Sequence, residues 1–114
     1  MDEIRGFARM QLEQGQVEEF KRLAAELIAT MRAEDTGTLQ FEIFLSPDES
    51  ECVIYERYRD SEAVIEHGGH VGEIMQAILA TVSGPSALLG EPSAELAAMT
   101  TGGTVTVFGP FLSM

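Results

Sequence analysis

His67 and His70 stand three residues apart, with Glu66 and Glu73 beside them. His67 also falls three residues after Val64 and four before Val71, on the apolar stripe of a helical pattern, just before Gly68-Gly69. A partly buried imidazole at such a point can act as a general base. The plainer alternative is a buried histidine with one backbone partner that fixes a kink. Two imidazoles at i and i+3 with a carboxylate would suit zinc. The glycines disturb that geometry and a third ligand must come from elsewhere, so a solvated turn is the simpler reading and no metal is expected. A second group of residues gathers only if two strands pair in one register: Arg5, Arg9, Glu42, Tyr55 and Arg57, with Phe7 and Phe44. Guanidinium groups can hold an anionic oxygen, a tyrosine can donate a hydrogen bond, and phenylalanines can line an aromatic pocket. The same residues can equally be cross-strand ion pairs in a subunit interface, with Glu42 the expected partner of an arginine. Cys52 has no base or helix start beside it and reads as a small buried hydrophobe. No phosphate loop, nucleophile elbow or dinucleotide fingerprint is present.

The elements that must position these residues follow from periodicity. Ile4 to Leu12 alternates Ile4, Gly6, Ala8, Met10 and Leu12 against Arg5, Phe7, Arg9 and Gln11, a strand with one small apolar face and one polar face. Val17, Phe20, Leu23, Ala24, Leu27, Ile28 and Met31 follow helical spacing, and Asp35 to Gly37 ends that helix. Leu39 to Leu45 and Cys52 to Arg59 form a hairpin around Ser46-Pro47-Asp48-Glu49-Ser50. Centring it near Asp48 and Glu49 sets Ile43 opposite Ile54 and Leu45 opposite Cys52, with Gln40–Arg57, Glu42–Tyr55 and Phe44–Val53 on the other face. A shift of one residue would invert every assignment. Asp60-Ser61-Glu62 starts a second helix whose stripe runs from Val64 to Val82, with a break expected at Gly68-Gly69. Ala87 to Leu89 is a brief strand, Pro92 to Met99 a short helix, and Thr104 to Phe108 the final strand. The order β-α-β-β-α-β, with a strand and helix inserted before the last strand, is an α+β ferredoxin-like sandwich in one domain, residues 1–114. Both helices cover one sheet face, and a second subunit packed sheet to sheet would cover the other.

Charge and composition narrow the classes. Seven Lys and Arg against nineteen Asp and Glu give a net charge of −12 in 114 residues. Nothing basic follows Arg59, so neither a nucleic acid nor an anionic membrane is an expected partner. One cysteine cannot form an intrachain disulfide, and charges at Asp2, Glu3, Arg5 and Arg9 interrupt any signal-like apolar core. A cytoplasmic protein is expected, and so small a domain gains from a homodimer that adds a second core.

The segments Gly37-Thr38-Leu39-Gln40-Phe41-Glu42-Ile43-Phe44, Tyr55-Glu56-Arg57-Tyr58-Arg59-Asp60-Ser61-Glu62-Ala63 and Glu66-His67, in that order and spacing, resemble the antibiotic biosynthesis monooxygenase (ABM) family. The resemblance covers about residues 2–82. It implies a dimeric α/β barrel and, in some members, oxygenation of quinols or polyketide phenols without metal or flavin. Haem-degrading relatives resemble one another in an Asn, a Trp and a haem-ligating His. This chain contains no Asn and no Trp, and the helix position ten residues after His67 is Ala77, which argues against haem degradation. The family's second histidine falls about five residues after the first, so no role passes to His70.

The function expected from the resemblance is cofactor-independent monooxygenation of a small quinol or phenolic, polyketide-like aromatic compound, with no cofactor. His67 is the base, Arg9 and Arg57 stabilise charge, Tyr55 orients the substrate, and Phe7, Glu42, Phe44 and Arg5 bind it. The competing expectation, prompted by the missing Trp and Asn, is a non-catalytic dimeric barrel that binds a small apolar ligand.

Overall fold

The computed structural model describes residues 2–114. Strand β1 (Ile4–Leu12) leads into helix α1 (Val17–Glu34), hairpin β2 (Thr38–Leu45) and β3 (Glu51–Tyr58), then helix α2 (Ser61–Leu79). Short strands β4 (Val82–Ser83) and β5 (Ser86–Leu89), helix α3 (Ala94–Thr100) and strand β6 (Val105–Phe108) complete the chain. One sheet runs in the order β2-β3-β1-β5-β6, with β4 also paired to β1.

The alternation of β1 decides which face is which. Ile4, Ala8 and Met10 are buried with Gly6 between them, while Arg5, Phe7, Arg9 and Gln11 face outward. Phe20, Leu23, Leu27 and Met31 of α1 close over Ala8, Met10, Cys52 and Ile54, and Val71 and Ile78 of α2 join the same core. Burying large aliphatic and aromatic side chains contributes on the order of 2 kcal/mol each. Cys52 lies inside this core, where burial pushes its thiol up. The hairpin register pairs Gln40 with Arg57, Glu42 with Tyr55, Ile43 with Ile54, Phe44 with Val53 and Leu45 with Cys52, as the alternation indicated. A bulge between Thr38 and Gln40 turns Leu39 outward. Gly37, in the turn before β2, lets α2 approach closely: a Cβ there would lie 2.5 Å from that of Ala63.

Four expectations are corrected. Helix α2 runs unbroken through Gly68 and Gly69. Each glycine costs a helix about 1 kcal/mol, yet Asp60 caps the first turn by accepting from Ala63 N at 2.9 Å, and Ala63, His67, Val71 and Ile78 anchor the buried side. Val82 belongs to β4, not to the helical stripe. The fourth strand of the ferredoxin-like arrangement is not Val105–Phe108 but β5, antiparallel to β1 with Arg5 opposite Leu89 and Ala8 opposite Ser86. Strand β6 adds beyond it in parallel, after a crossover through α3. Glu42 is not the arginine partner either. Glu3 takes Arg57 at 2.6 Å and Arg5 at 3.4 Å, Glu51 takes Arg9 at 2.9 Å, and Glu42 accepts from Gln40 instead. Among the described residues, no helix is long and apolar enough to cross a membrane.

Candidate active site

A cavity of about 540 Å³ opens between the helix-bearing face of the sheet and α2, with α3 and β6 along one side. Its walls are mostly apolar: Ala8, Met10, Ile54, Val71, Met75 and Leu96 are representative. Gly68 and Gly72 also line it, and a Cβ placed on either would meet nothing within 4 Å. One turn apart on the same helix face, they leave bare backbone where side chains would otherwise fill the space.

Three ionisable side chains interrupt this wall: His67, Glu56 and Tyr58. The His67 ring packs 5.2 Å from that of Tyr58 and 5.8 Å from that of Phe41, centre to centre. Its Nδ1 lies 2.9 Å from Oδ2 of Asp35, a carboxylate whose side chain is 2 % exposed. Asp35 is the C-cap residue of α1, so the end of one helix delivers the carboxylate to the middle of the next. Its other oxygen, Oδ1, lies 2.7 Å from Nδ1 of His70, and Thr38 Oγ1 donates to Oδ2 at 2.7 Å. Burial pushes the Asp35 carboxyl up, but the hydrogen bonds from His70, Thr38 and His67 outweigh it and hold the group below its ordinary range. The His70 imidazole is correspondingly raised by its hydrogen bond to Asp35. An ionised Asp35 requires a proton on His67 Nδ1, which leaves Nε2 as the basic nitrogen. Nε2 has no protein partner among the described residues, and His67 borders the cavity.

Glu56 enters from β3. Ile54, Glu56 and Tyr58 alternate onto the inner face, and Glu56 stands opposite Gly6 of β1. A Cβ on Gly6 would lie 3.0 Å from the Glu56 carboxyl carbon, so the glycine makes the room this side chain occupies. The Tyr58 hydroxyl donates to Glu56 Oε1. Burial pushes the Glu56 carboxyl up, against the Tyr58 hydrogen bond and the field of His67. Burial also raises the Tyr58 phenol.

The structure divides the residues singled out in the sequence. His67 reaches the cavity and Phe7 borders it, but Tyr55, Arg57, Arg9, Arg5, Glu42 and Phe44 are not among its lining residues. Register places these six, with Phe7, on the opposite face of the sheet, where Arg5 pairs with Arg57 and Phe7 with Tyr55 across β1 and β3. The arginine group and the histidine therefore do not share one pocket. Glu66 accepts from Thr36 N and Oγ1. Asp35, Glu56 and Tyr58 were missed. Glu56 and Tyr58 were accessible from the strand alternation, since they share parity with Ile54. Asp35 gave only a helix-stop signal.

The family sequence pattern described as antibiotic biosynthesis monooxygenase matches residues 4–79, which include Asp35, Glu56, Tyr58 and His67. The chain belongs to the antibiotic biosynthesis monooxygenase family. Among solved structures, Rv0793 from Mycobacterium tuberculosis is 27 % identical, with a TM-score of 0.63 over 75 % of this chain and 89 % of that one. SnoaB from Streptomyces nogalater, a cofactor-independent oxygenase, shares the fold at 18 % identity, with a TM-score of 0.67 over 82 % and 97 %. MupZ from Pseudomonas fluorescens, at 14 % identity, has a TM-score of 0.73 over 100 % of this chain and 96 % of its own. The likeness to MupZ thus extends through α3 and β6, beyond the segment that defines the antibiotic biosynthesis monooxygenase domain. No curated protein matches the chain in sequence.

Proposed function

We propose that this antibiotic biosynthesis monooxygenase oxygenates a small quinol or phenolic, polyketide-like aromatic compound in the cavity, with no cofactor. The observation that carries the reading is the Asp35–His67 pair, whose free Nε2 meets a mostly apolar space large enough for two or three fused rings. The cofactor-independent oxygenase SnoaB, which shares the fold, supports it. Nε2 takes a proton from the phenol or from an activated ring carbon, and low surrounding polarity keeps the resulting anion electron-rich. One electron passes to oxygen, and superoxide and substrate radical combine to a hydroperoxide. Loss of water then converts a CH2 group to a carbonyl, so both oxygen atoms are accounted for.

The outward sheet face completes the proposal as the surface of a homodimer. Phe7, Phe44 and Phe108 are each about half exposed there, and Arg5, Arg9 and Arg57 are already paired within the subunit. Oxygen consumption with a panel of anthrones and naphthohydroquinones tests the activity. His67→Ala is expected to lower kcat/KM by about 10²- to 10⁴-fold, the usual contribution of a general base. Uptake unchanged by the substitution would remove His67 from the reaction. Saturable binding of the panel without oxygen uptake by the unaltered protein would favour a carrier over an oxygenase.

A further inference from the structure

Glu56 has no task in the oxygenation just described, yet it is the most unusually placed acid in the chain. Its carboxyl is walled by β1, β3 and α2, and its accessible surface opens into the cavity. Gly6 is vacated for it, and Tyr58 occupies Oε1. Oε2 has no protein partner among the described residues. A carboxylate in so apolar a setting would be costly unless paired with a cation. No lysine or arginine lines the cavity. The acid is therefore stable there in its neutral form, with Oε1 accepting from Tyr58 and Oε2 carrying the proton toward the cavity. His67 has the opposite character, because Asp35 fixes its proton on Nδ1 and leaves Nε2 an acceptor. The two groups are neighbours through Tyr58, which hydrogen-bonds Glu56 and packs its ring on His67.

We propose that Glu56 and His67 form an acid–base pair that enolises a ketone without oxygen: Glu56 protonates the carbonyl oxygen while His67 removes the proton from the adjacent carbon. The C–H bond breaks, its electron pair forms the C=C bond, and the former C=O π pair takes the Glu56 proton. His67 finishes protonated and Glu56 ionised. His67 then returns its proton to the same carbon or to another conjugated with it, the enol hydroxyl returns its proton to Glu56, both groups are restored, and nothing is oxidised or reduced. The substrate class is a small, largely apolar ketone with an acidic α-proton. Separating the two pKa ranges within one site is how one cavity holds a base and an acid at the same pH. The inference rests on the same assignment of His67 as base, but it requires no oxygenase activity.

The test is deuterium exchange into 2-tetralone under nitrogen in deuterium oxide near neutral pD, followed by proton NMR. The protein is expected to accelerate exchange at the benzylic α-carbon at least tenfold over buffer containing the same concentration of bovine serum albumin. Glu56→Gln, which keeps the shape and the Tyr58 contact but cannot deliver a proton, is expected to lose at least ten-fold of that acceleration while binding the probe within threefold. Glu56→Asp, measured beside it, is expected to recover part of the rate. No acceleration by the unaltered protein, or exchange by Glu56→Gln at the original rate, overturns the proposal. Oxygen uptake measured on the same variants separates the two readings. Uptake that depends on His67 with no accelerated exchange keeps the oxygenase and rejects the acid–base pair, whereas exchange without any uptake keeps the acid–base pair and rejects the oxygenase.

Discussion

Asp35 governs the chemistry of His67 without touching the cavity contents. It is a positioning residue: Asp35→Asn preserves size but can present an N–H to His67 Nδ1, favouring the tautomer whose Nε2 is protonated and useless as a base. We expect kcat/KM for oxygen uptake to fall by about 10²-fold or more, with the pH profile altered and KM nearly unchanged. A purely structural role would instead appear as lost folding cooperativity. His70 gives a separate prediction in stability. Its imidazole is raised by the hydrogen bond to Asp35, so the stabilisation is fully present below its ordinary value of 6.5 and disappears as pH rises through the folded-state value. Asp35, held low, stays ionised across that window. The Tm gap between the unaltered protein and His70→Gln should be wider at pH 6 than at pH 9; an equal gap at both would remove the charged pair. At this scale the sequence revealed His67, because its position on an apolar stripe is a local property. It concealed Asp35, because a carboxylate ending one helix and an imidazole inside the next are joined only by packing, 32 residues apart.

Helix α2 shows how an element serves a cavity at the expense of its own stability. Gly68 and Gly72 have room for a side chain and no turn that demands a glycine; what they provide is volume. Gly68→Ala and Gly72→Ala should each raise unfolding free energy by up to about 1 kcal/mol, in chemical denaturation, through better helix propensity. The same changes should weaken ligand binding and lower turnover, and Gly72→Leu should abolish both while remaining folded. If the alanine variants gain stability with unchanged activity, the glycines do not shape the binding space. Elements of this length were legible in the sequence wherever periodicity was strong: β1, α1 and the β2–β3 register all follow from alternation or helical spacing. The helix break was misread because glycine propensity is a local penalty of modest size, overridden by four buried anchors on the same helix. The last strands were misread for a different reason. Both Ala87–Leu89 and Val105–Phe108 have strand-like sequences, and which one lies beside β1 depends on crossover geometry that no local pattern carries.

The whole molecule carries a formal charge of −12, yet its exposed sheet face neutralises three of its seven cations against Glu3 and Glu51. Two such subunits would repel at long range and, in the proposed dimer, meet on a face with little net charge. Added salt screens the repulsion over a Debye length of about 10 Å at 0.1 M, so the proposed dimer should tighten as ionic strength rises. Light scattering across a salt series checks this, and Phe7→Glu with Phe44→Glu should leave folded monomers at all concentrations tested. A monomeric unaltered protein at high salt would contradict the sheet-to-sheet assembly. The strand order has a consequence for how the chain is made. Strand β1, made before its neighbours, is a central one, hydrogen-bonded on one side to β3 and on the other to β5, with Arg5 pairing Leu89. During translation β1 can acquire its β3 neighbour once the hairpin emerges, but most of its second edge stays open until β5 has emerged as well. A nascent chain stalled before Ser86 would therefore expose the middle of its own sheet, and the vulnerable interval for wrong pairing lies between the emergence of β3 and that of β5.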